Sequence, residues 1–377
     1  MRKLWHVSAI FWITISVSGY GQSQTGANIS EVMGDFSQYS VSLSDDRTTM
    51  AIGAHHNNGN GLESGHVNVY KNNSGDWRQI GQDIKGEEAG DWSGYSVSLS
   101  SDGSTVALGA VLNEGNGKNS GHVRVYEYAA STWNQVGSDI DGEAAGDWSG
   151  YSVSLSGDGT TVAVGAIFNN GNGKNSGHTR VYKNYKGVWS QIGDDIDGRR
   201  TKDFFGTSVS LSGDGDMVAI GAHRAGRPGY VRVYKNISGN WVQVGDDIDG
   251  KAIGDFLGWS VGLSYDGAIV AIGAYVNNNN GERRGCVRVY QNDSGNWVQI
   301  GSDIDGKETN DDLSGLSVDV SRNDSIVVVG AYEKNSNDDT GQTVGIGHVR
   351  IYENDKTNSW NWTRISADVH KGSSRGL

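Results

Sequence analysis

The sequence has 377 residues, of which 57 are glycine and one is proline. This shortage of proline excludes collagen, and hydrophobic residues at 36%, with 12 Trp and 16 Tyr, exclude a disordered acidic tract. A formal net charge of -13 argues against electrostatic binding to nucleic acid or to anionic lipid. The single cysteine, Cys286, excludes an intrachain disulfide, a zinc knuckle and an iron-sulfur cluster.

The first 21 residues have the pattern of a secretory signal peptide. A positive start at Arg2 and Lys3 precedes an apolar run over residues 4–17, and small residues end the segment at Gly21. The alternative is an N-terminal membrane anchor, but a run of about 14 residues is shorter than the roughly 20 that a span needs. We therefore predict cleavage before Gln22 and a protein that is secreted or held at the cell surface, with no transmembrane segment.

Residues 22–377 contain six copies of one unit, which makes this segment a single repeat domain. Each copy opens on Ser-Val-Ser-Leu-Ser or a close variant, and a Gly-Ala pair or its equivalent follows thirteen residues after the opening. The openings are Ser40, Ser96, Ser152, Ser208, Ser260 and Ser317.

Each copy is predicted to form four short strands, for example residues 96–100, 105–110, 122–126 and 133–140, and no segment has a helical period. Asp102-Gly103 suits a tight turn between the first two strands. Repeated four-stranded meanders predict an all-β fold, a β-propeller of four-stranded antiparallel blades. Six repeats are visible, and the propeller is seven-bladed if a blade is missing from this chain. A β-solenoid is the alternative, but its repeat is usually shorter.

The repeat resembles the FG-GAP type of propeller repeat, which occurs in the head of integrin α chains and in many exported bacterial repeat proteins. Phe205-Gly206-Thr207-Ser208-Val209 keeps the Phe-Gly pair, Ala222 completes Gly-Ala, and residues 229–234 close the unit with Val-Tyr. The resemblance implies a propeller fold and leaves the function open.

No metal and no cofactor are expected. Calcium-binding members of the resembled family carry alternating Asp or Asn at the turn between the first two strands, whereas here the turn has Asp102 alone and Val106 where the last acidic ligand would fall. Four histidines recur at the start of the third strand and are interpreted as packing residues, because they lie in separate repeats: His66, His122, His178 and His348.

Two kinds of loop share one edge of an up-and-down blade: those from the second to the third strand, and the links from the fourth strand to the next blade. We call this the long-loop edge, where binding sites on rigid scaffolds usually lie. Trp92 and Trp148 on it are either packing wedges or a surface for sugars or cations. Carboxylate pairs such as Asp139 and Asp141 recur four times, which favours a solvated edge over acid and base catalysis.

Copies 4 and 5 differ from the others in charge. Their loops and links gather eight basic residues in a chain of negative net charge, and we predict that they form a ligand-binding basic patch on the long-loop edge. The planar guanidinium group of arginine can donate two parallel hydrogen bonds to a carboxylate or sulfate group. An acidic or sulfated polysaccharide is therefore the expected ligand. The patch is Arg199, Arg200, Lys202, Arg224, Arg227, Lys251, Arg283 and Arg284.

The expected function is an exported, non-catalytic binding or adhesion module whose partner is a polysaccharide or an extracellular protein. No catalytic residue is assigned, because no acid and base pair stands outside the repeat pattern. One alternative is a propeller-type polysaccharide lyase or hydrolase that acts on an anionic glycan, to which only His223 beside Arg224 points. The other alternative is a structural surface protein.

Overall fold

A computed structural model describes residues 40–223, 228–276, 284–306, 312–337, 343–354, 361–366 and 369–370. Every secondary-structure element in these ranges is a β-strand. No helix among them has the length and apolar character needed to cross a membrane. The predicted signal peptide lies outside the described residues, so its cleavage stays a prediction.

The strands form six sheets, here called blades 1 to 6 in chain order. Blade 1 contains β1 (Ser40–Leu43), β2 (Thr49–Ala54), β3 (His66–Asn73), β4 (Asp76–Gln79) and β5 (Ile84–Lys85). Blade 2 contains β6 (Ser93–Leu99), β7 (Thr105–Ala110), β8 (His122–Ala129), β9 (Thr132–Gln135) and β10 (Ile140–Asp141). Blade 3 contains β11 (Ser149–Leu155), β12 (Thr161–Ala166), β13 (His178–Tyr185), β14 (Val188–Gln191) and β15 (Ile196–Asp197).

The other three blades repeat this order. Blade 4 contains β16 (Phe205–Leu211), β17 (Met217–Ala222), β18 (Tyr230–Ile237), β19 (Asn240–Gln243) and β20 (Ile248–Asp249). Blade 5 contains β21 (Leu257–Leu263), β22 (Ile269–Ala274), β23 (Cys286–Asp293), β24 (Asn296–Gln299) and β25 (Ile304–Asp305). Blade 6 contains β26 (Ser317–Val320), β27 (Ile326–Asn337), β28 (Thr343–Asn354), β29 (Trp362–Arg364) and β30 (Val369–His370).

Each blade is an antiparallel meander whose fourth strand is split into two pieces. In blade 2, β9 and β10 both pair with β8, with Trp133 opposite Tyr128 and Ile140 opposite Val123. The strand breaks between them at Gly137, whose φ of 74° lies in the left-handed region. The predicted β-propeller of six four-stranded blades is confirmed.

The predicted strands of blade 2 differ from the observed ones mainly at their ends. The second strand matches the prediction, whereas the first begins three residues early, at Ser93. A bulge between Ser93 and Ser96 makes this extension possible, and Gly94 within it has a φ of 82°. Alternation of serine and apolar residues could not reveal the extension because the bulge breaks the period of two.

Neighbouring blades touch through backbone at the Gly-Ala pair. A Cβ on Gly109 would lie 2.1 Å from the carbonyl oxygen of Gly150 in the next blade. Ser96 donates a hydrogen bond to the same oxygen over 2.7 Å. The glycine is therefore required by close approach, and the repeated serine holds that approach in place.

The first strands of successive blades lie against each other and surround a central channel. The Tyr265 ring closes the end away from the long-loop edge, where it covers Gly213. The Arg322 guanidinium lies 3.8 Å from the centre of that ring, and its Nη1 is 3.3 Å from Oδ2 of Asp45. Since Arg322 is in blade 6 and Asp45 in blade 1, the last blade meets the first.

Candidate functional site

The candidate site is the end of the central channel at the long-loop edge, which we call the channel mouth. Its wall carries one residue from the bulged start of each first strand in blades 2 to 5: Tyr95, Tyr151, Thr207 and Trp259. The Tyr95 and Tyr151 rings lie 5.2 Å apart between centroids. The same repeat position thus holds three residue types in four blades, as expected of a single site in a repeated scaffold.

An aromatic collar surrounds this wall, formed by one residue in each link into blades 2 to 5: Trp92, Trp148, Phe204 and Phe256. All four have φ between 52° and 57°, a left-handed conformation that aromatic side chains seldom adopt. Such local strain concentrates at functional sites. The four side chains are half-buried, so each is packed on one side and open to solvent on the other.

His223 follows the Gly-Ala pair of blade 4 and lies in the middle of these rings. Its imidazole stacks on Phe204 at 5.4 Å between centroids and meets Trp259 edge-on at 4.9 Å. Its Nδ1 lies 2.6 Å from Oγ1 of Thr207. Three contacts therefore fix the orientation of a side chain that is half-buried at the channel mouth.

The Thr207 hydroxyl determines which nitrogen of His223 carries the proton. It donates its own proton to the carbonyl oxygen of Phe204 over 2.6 Å, so toward His223 it acts as the acceptor. Nδ1 then carries hydrogen, and Nε2 keeps its lone pair. Burial lowers the pKa of His223 to about 4, so the imidazole is neutral at neutral pH and Nε2 can act as a base.

Blade 1 places a second histidine at the position equivalent to His223. His55 is only 4% exposed, and its ring lies 5.4 Å from both Trp92 and Tyr95. The next residue, His56, has its Nδ1 3.3 Å from Oε1 of Glu63. Blades 1 and 4 are opposite each other in a ring of six, so the two histidine positions face the channel mouth from opposite sides.

The Asp319 carboxylate, deeper in the channel, was not predicted from the sequence. Asp319 replaces the second serine of the repeat in blade 6, where Ser42, Ser98, Ser154 and Ser210 stand in blades 1 to 4. Surrounding protein, and then the charge of Asp45, raises the pKa of Asp319 to about 6, although its side chain is accessible from the channel. The sequence carries this departure as Ser-Val-Asp-Val-Ser in place of Ser-Val-Ser-Leu-Ser, a signal that could have located the carboxylate.

The predicted basic patch is described in part. Arg199 forms ion pairs with Asp247 and Asp249, and Nζ of Lys251 lies 2.8 Å from Oδ1 of Asp303. Arg200 and Lys202 are exposed, and Arg284 is half-buried. Arg224, Arg227 and Arg283 lie outside the described residues. The patch as a ligand site stays a prediction.

The comparisons support the fold and the repeat. The family model for the FG-GAP repeat matches residues 139–182. No curated protein matches the sequence. Two solved structures described as putative 6-phosphogluconolactonases match, one from Bacteroides uniformis at a TM-score of 0.60 with 11% identity over 88% of this chain and 85% of that one. The other, from Bacteroides fragilis, matches at 0.58 with 10% identity over 88% and 84%.

A third solved structure, the periplasmic gluconolactonase of Pseudomonas aeruginosa, matches at a TM-score of 0.56 with 18% identity over 89% of this chain and 85% of that one. These identities establish the shared fold and no more. All three of these structures are described as lactonases, and this finding corrects the expected function, which was a binding or adhesion module with a polysaccharide lyase or hydrolase and a structural surface protein as alternatives. The resemblance to FG-GAP-type repeats is confirmed by the family model.

Proposed function

We propose that this protein is a lactonase, a hydrolase that opens the cyclic ester of an uncharged sugar lactone at the channel mouth. The observation that carries the proposal is His223, a neutral imidazole whose tautomer is set by Thr207 and whose position no other described blade repeats except blade 1. The descriptions of three solved propellers as lactonases supply the reaction class.

The chemistry follows from the free lone pair on Nε2. Nε2 of His223 accepts a proton from a water molecule while the water oxygen bonds to the lactone carbonyl carbon. When the carbonyl re-forms, the bond to the ring oxygen breaks, and that oxygen takes the proton back from the imidazolium. The product is the open hydroxy acid, and the histidine returns to its starting state. No cofactor takes part in this sequence.

The channel mouth also suits the proposed substrate. A sugar lactone presents a flat ring with several hydroxyl groups, and the wall presents aromatic rings with polar tips at Tyr95 and Tyr151. The phenolic hydroxyl of Tyr151, in the blade next to Thr207, is our candidate donor for the negative charge that develops on the carbonyl oxygen. The half-buried collar residues would exclude bulk water from the sides of the ring.

The test is hydrolysis of glucono-1,5-lactone by the full chain, followed by acid release at constant pH. We expect His223→Gln to lower kcat/KM by at least about 100-fold, since a positioned general base contributes roughly that much or more. Lys186→Gln serves as the control, because the Lys186 side chain is exposed in the turn between β13 and β14, at the edge of blade 3 away from the channel mouth. This variant should hydrolyse the lactone at the wild-type rate. A wild-type rate equal to the spontaneous one, or an equally fast His223→Gln variant, would overturn the proposal.

We further propose that the protein is exported. Support comes from the positive start and apolar run of residues 1–21. N-terminal sequencing of protein recovered outside the cytoplasm should begin at or within a few residues of Gln22. Recovery of exported material that still begins at Met1 would contradict this proposal.

A further inference from the structure

Three repeat positions come together at the long-loop edge of each of blades 2 to 5. The first position follows the glycine of the link into the blade, the second begins the third strand, and the third is the first carboxylate of the repeated pair. Blades 2 and 3 carry Glu, His and Asp at these positions: Glu87, His122 and Asp139, then Glu143, His178 and Asp195. Blades 4 and 5 carry a basic residue first and no histidine: Arg199, Tyr230 and Asp247, then Lys251, Cys286 and Asp303.

In blades 4 and 5 the chain places its own cation beside the carboxylate. The Arg199 guanidinium pairs with Asp247 and lies 3.7 Å from the centre of the Tyr230 ring. Nζ of Lys251 lies 2.8 Å and 3.0 Å from the two carboxylate oxygens of Asp303. Both blades thus compensate the negative charge at this place with a positive side chain.

In blades 2 and 3 the same place holds three ligand groups instead. Nδ1 of His122 lies 3.5 Å from Oδ2 of Asp139 and 3.9 Å from Oε2 of Glu87. The corresponding distances from Nδ1 of His178 are 3.4 Å to Asp195 and 3.7 Å to Glu143. Tetrahedral zinc with bonds of about 2.0 to 2.1 Å separates its ligand atoms by roughly 3.4 Å, close to these values.

Both carboxylates are held so that one oxygen remains for the cluster. Nε2 of Gln135 donates to Oδ1 of Asp139 over 2.6 Å, and Nη1 of Arg124 lies 3.6 Å from Oε1 of Glu87. The oxygens that face His122 are the other ones, Oδ2 and Oε2. Blade 3 repeats this arrangement with Gln191 and Arg180, except that the cluster-facing Oε2 of Glu143 also accepts a hydrogen bond from Nδ2 of Asn169 over 3.5 Å. Outer partners of this kind orient the ligands of metal sites.

The imidazoles are buried and aimed into the clusters. His122 and His178 are each 1% exposed, and among the described residues Nδ1 of His178 has no well-aligned hydrogen bond, although carboxylate oxygens of Asp195 and Glu143 lie 3.4 Å and 3.7 Å from it. A buried polar atom without a partner is costly, so a ligand that it could bind is favoured there.

We propose that the clusters of blades 2 and 3 each bind one divalent cation, with zinc preferred because of the imidazole and the tetrahedral spacing. The metal takes the place that the Arg199 and Lys251 side chains fill in blades 4 and 5. A third cluster, Cys286 with Asp303 and Asp305, is not included because Lys251 already pairs with Asp303. This inference departs from the expectation of no metal and is independent of the proposed lactonase.

The test is zinc binding to the full chain without a histidine tag, by calorimetry and by the shift in Tm. We expect two equivalents of zinc for wild type, one for Glu87→Gln, one for Glu143→Gln and none for the double variant. These glutamates are exposed, so their amides should fold normally. Glu88→Gln, the exposed neighbour outside the cluster, is the matched control and should still bind two.

Blade 5 offers the converse experiment. Lys251→Glu combined with Cys286→His gives blade 5 the three residue types found in blade 2, and we expect the double variant to bind a third equivalent. Zinc should also raise Tm in wild type and fail to do so in the variant lacking Glu87 and Glu143. Binding that is absent in wild type, or that persists unchanged in that variant, would overturn the proposal.

Discussion

At the scale of single residues, the proposed lactonase chemistry depends on a hydrogen bond from Thr207 to Phe204, which determines how Thr207 bonds to His223. Thr207 donates to the Phe204 carbonyl and so must accept from His223, which leaves Nε2 of the imidazole as the base. A general base needs both the right position and the right proton state. Thr207 is thus a positioning residue, because it acts through His223.

Removal of the Thr207 hydroxyl tests this role. Thr207→Val keeps the shape of the side chain but leaves Nδ1–H of His223 without an acceptor. An acceptor stabilises the protonated imidazole more than the neutral one, so its loss should lower the pKa of His223 further and weaken the base. We expect kcat to fall about 10-fold with little change in KM, and the acid limb of the pH-rate profile to move to lower pH.

The control for this change is Thr179→Val. Thr179 is fully buried in blade 3, and its Oγ1 makes no hydrogen bond among the described residues. Kinetics of the control should match wild type. A Thr207→Val enzyme with unchanged kcat and an unchanged acid limb would show that His223 is oriented by its aromatic neighbours alone.

The raised pKa of Asp319 leads to a second prediction at this scale. Its pKa is raised to about 6 in the folded chain, above the ordinary value near 4 in the unfolded chain. Between these values the folded state binds more protons, so its stability falls as pH rises through this range. Asp319→Ser, which restores the residue of blades 1 to 4, should therefore raise Tm at pH 7.5 by on the order of 1 °C.

The same substitution should have little effect at pH 4, where Asp319 in the folded chain is already protonated. Thermal unfolding of both chains at the two pH values measures the difference. A variant that is less stable than wild type at pH 7.5 would mean that the carboxylate stabilises the channel.

Sequence reasoning could locate some of these residues but not their chemistry. His223 stands out in the sequence because the loop that it opens differs from those of the other copies, whereas its partner Thr207 lies in the Phe-Gly segment of the repeat and carries no signal of its own. The proton state depends on a contact between two strands of one blade, which spacing does not encode. The collar residues Trp92 and Trp148 were visible as repeated aromatics, but their left-handed backbone was not.

At the scale of strands and blades, a tryptophan in each of blades 2 to 6 connects that blade to the one before it. Trp133 in blade 2 is 3% exposed, and its indole N–H donates to the carbonyl oxygen of Ile80 in blade 1 over 2.9 Å. The same bond recurs from Trp189, Trp241, Trp297 and Trp362 at distances of 2.7 to 3.2 Å. The fourth strand thus contributes to packing in two blades.

Substitution of Trp133 separates its two contributions. Trp133→Ala should lower the free energy of unfolding by about 3 to 5 kcal/mol through loss of buried ring and the cavity left behind. Trp133→Phe should cost less, since it keeps a ring and loses the bond to Ile80, which is worth roughly 1 kcal/mol. Denaturant titration gives both values.

Trp77→Phe provides the matched control, because the N–H of Trp77 meets no acceptor among the described residues. It should cost less than Trp133→Phe. An equal cost at the two positions would mean that the hydrogen bond between blades contributes nothing measurable.

Blade architecture was the most predictable level of the structure. Alternation, tight turns and the Gly-Ala pair defined the strands of blade 2 to within three residues, because each obeys a local rule. The split fourth strand was missed, since the left-handed turn at Gly137 lies within a run that otherwise reads as one strand. The clusters with His122 and His178 were missed for a different reason: their members come from a link, from the start of the third strand and from the residue before the second piece of the fourth strand, over about 50 residues of chain.

At the scale of the whole molecule, closure of the ring creates the site. The channel exists because six first strands lie side by side, and its far end is covered by Tyr265, with Arg322 and Asp45 joining blade 6 to blade 1. The mouth then gathers side chains from five blades that are far apart in sequence. Repeats determine where that mouth is, and departures from the repeat determine what it can do.

The most direct measurement is the pH dependence of kcat/KM for glucono-1,5-lactone between pH 3 and 7. Since His223 must be neutral to accept a proton, and burial lowers its pKa to about 4, activity should be retained at pH 5 and fall only as pH decreases through about 4. His223→Gln should lower kcat/KM throughout this range and remove its decrease near pH 4. Two results would contradict the proposed lactonase. One is a decrease of kcat/KM centred near pH 6.5, the ordinary pKa of histidine. The other is a rate equal to that of spontaneous hydrolysis throughout the range.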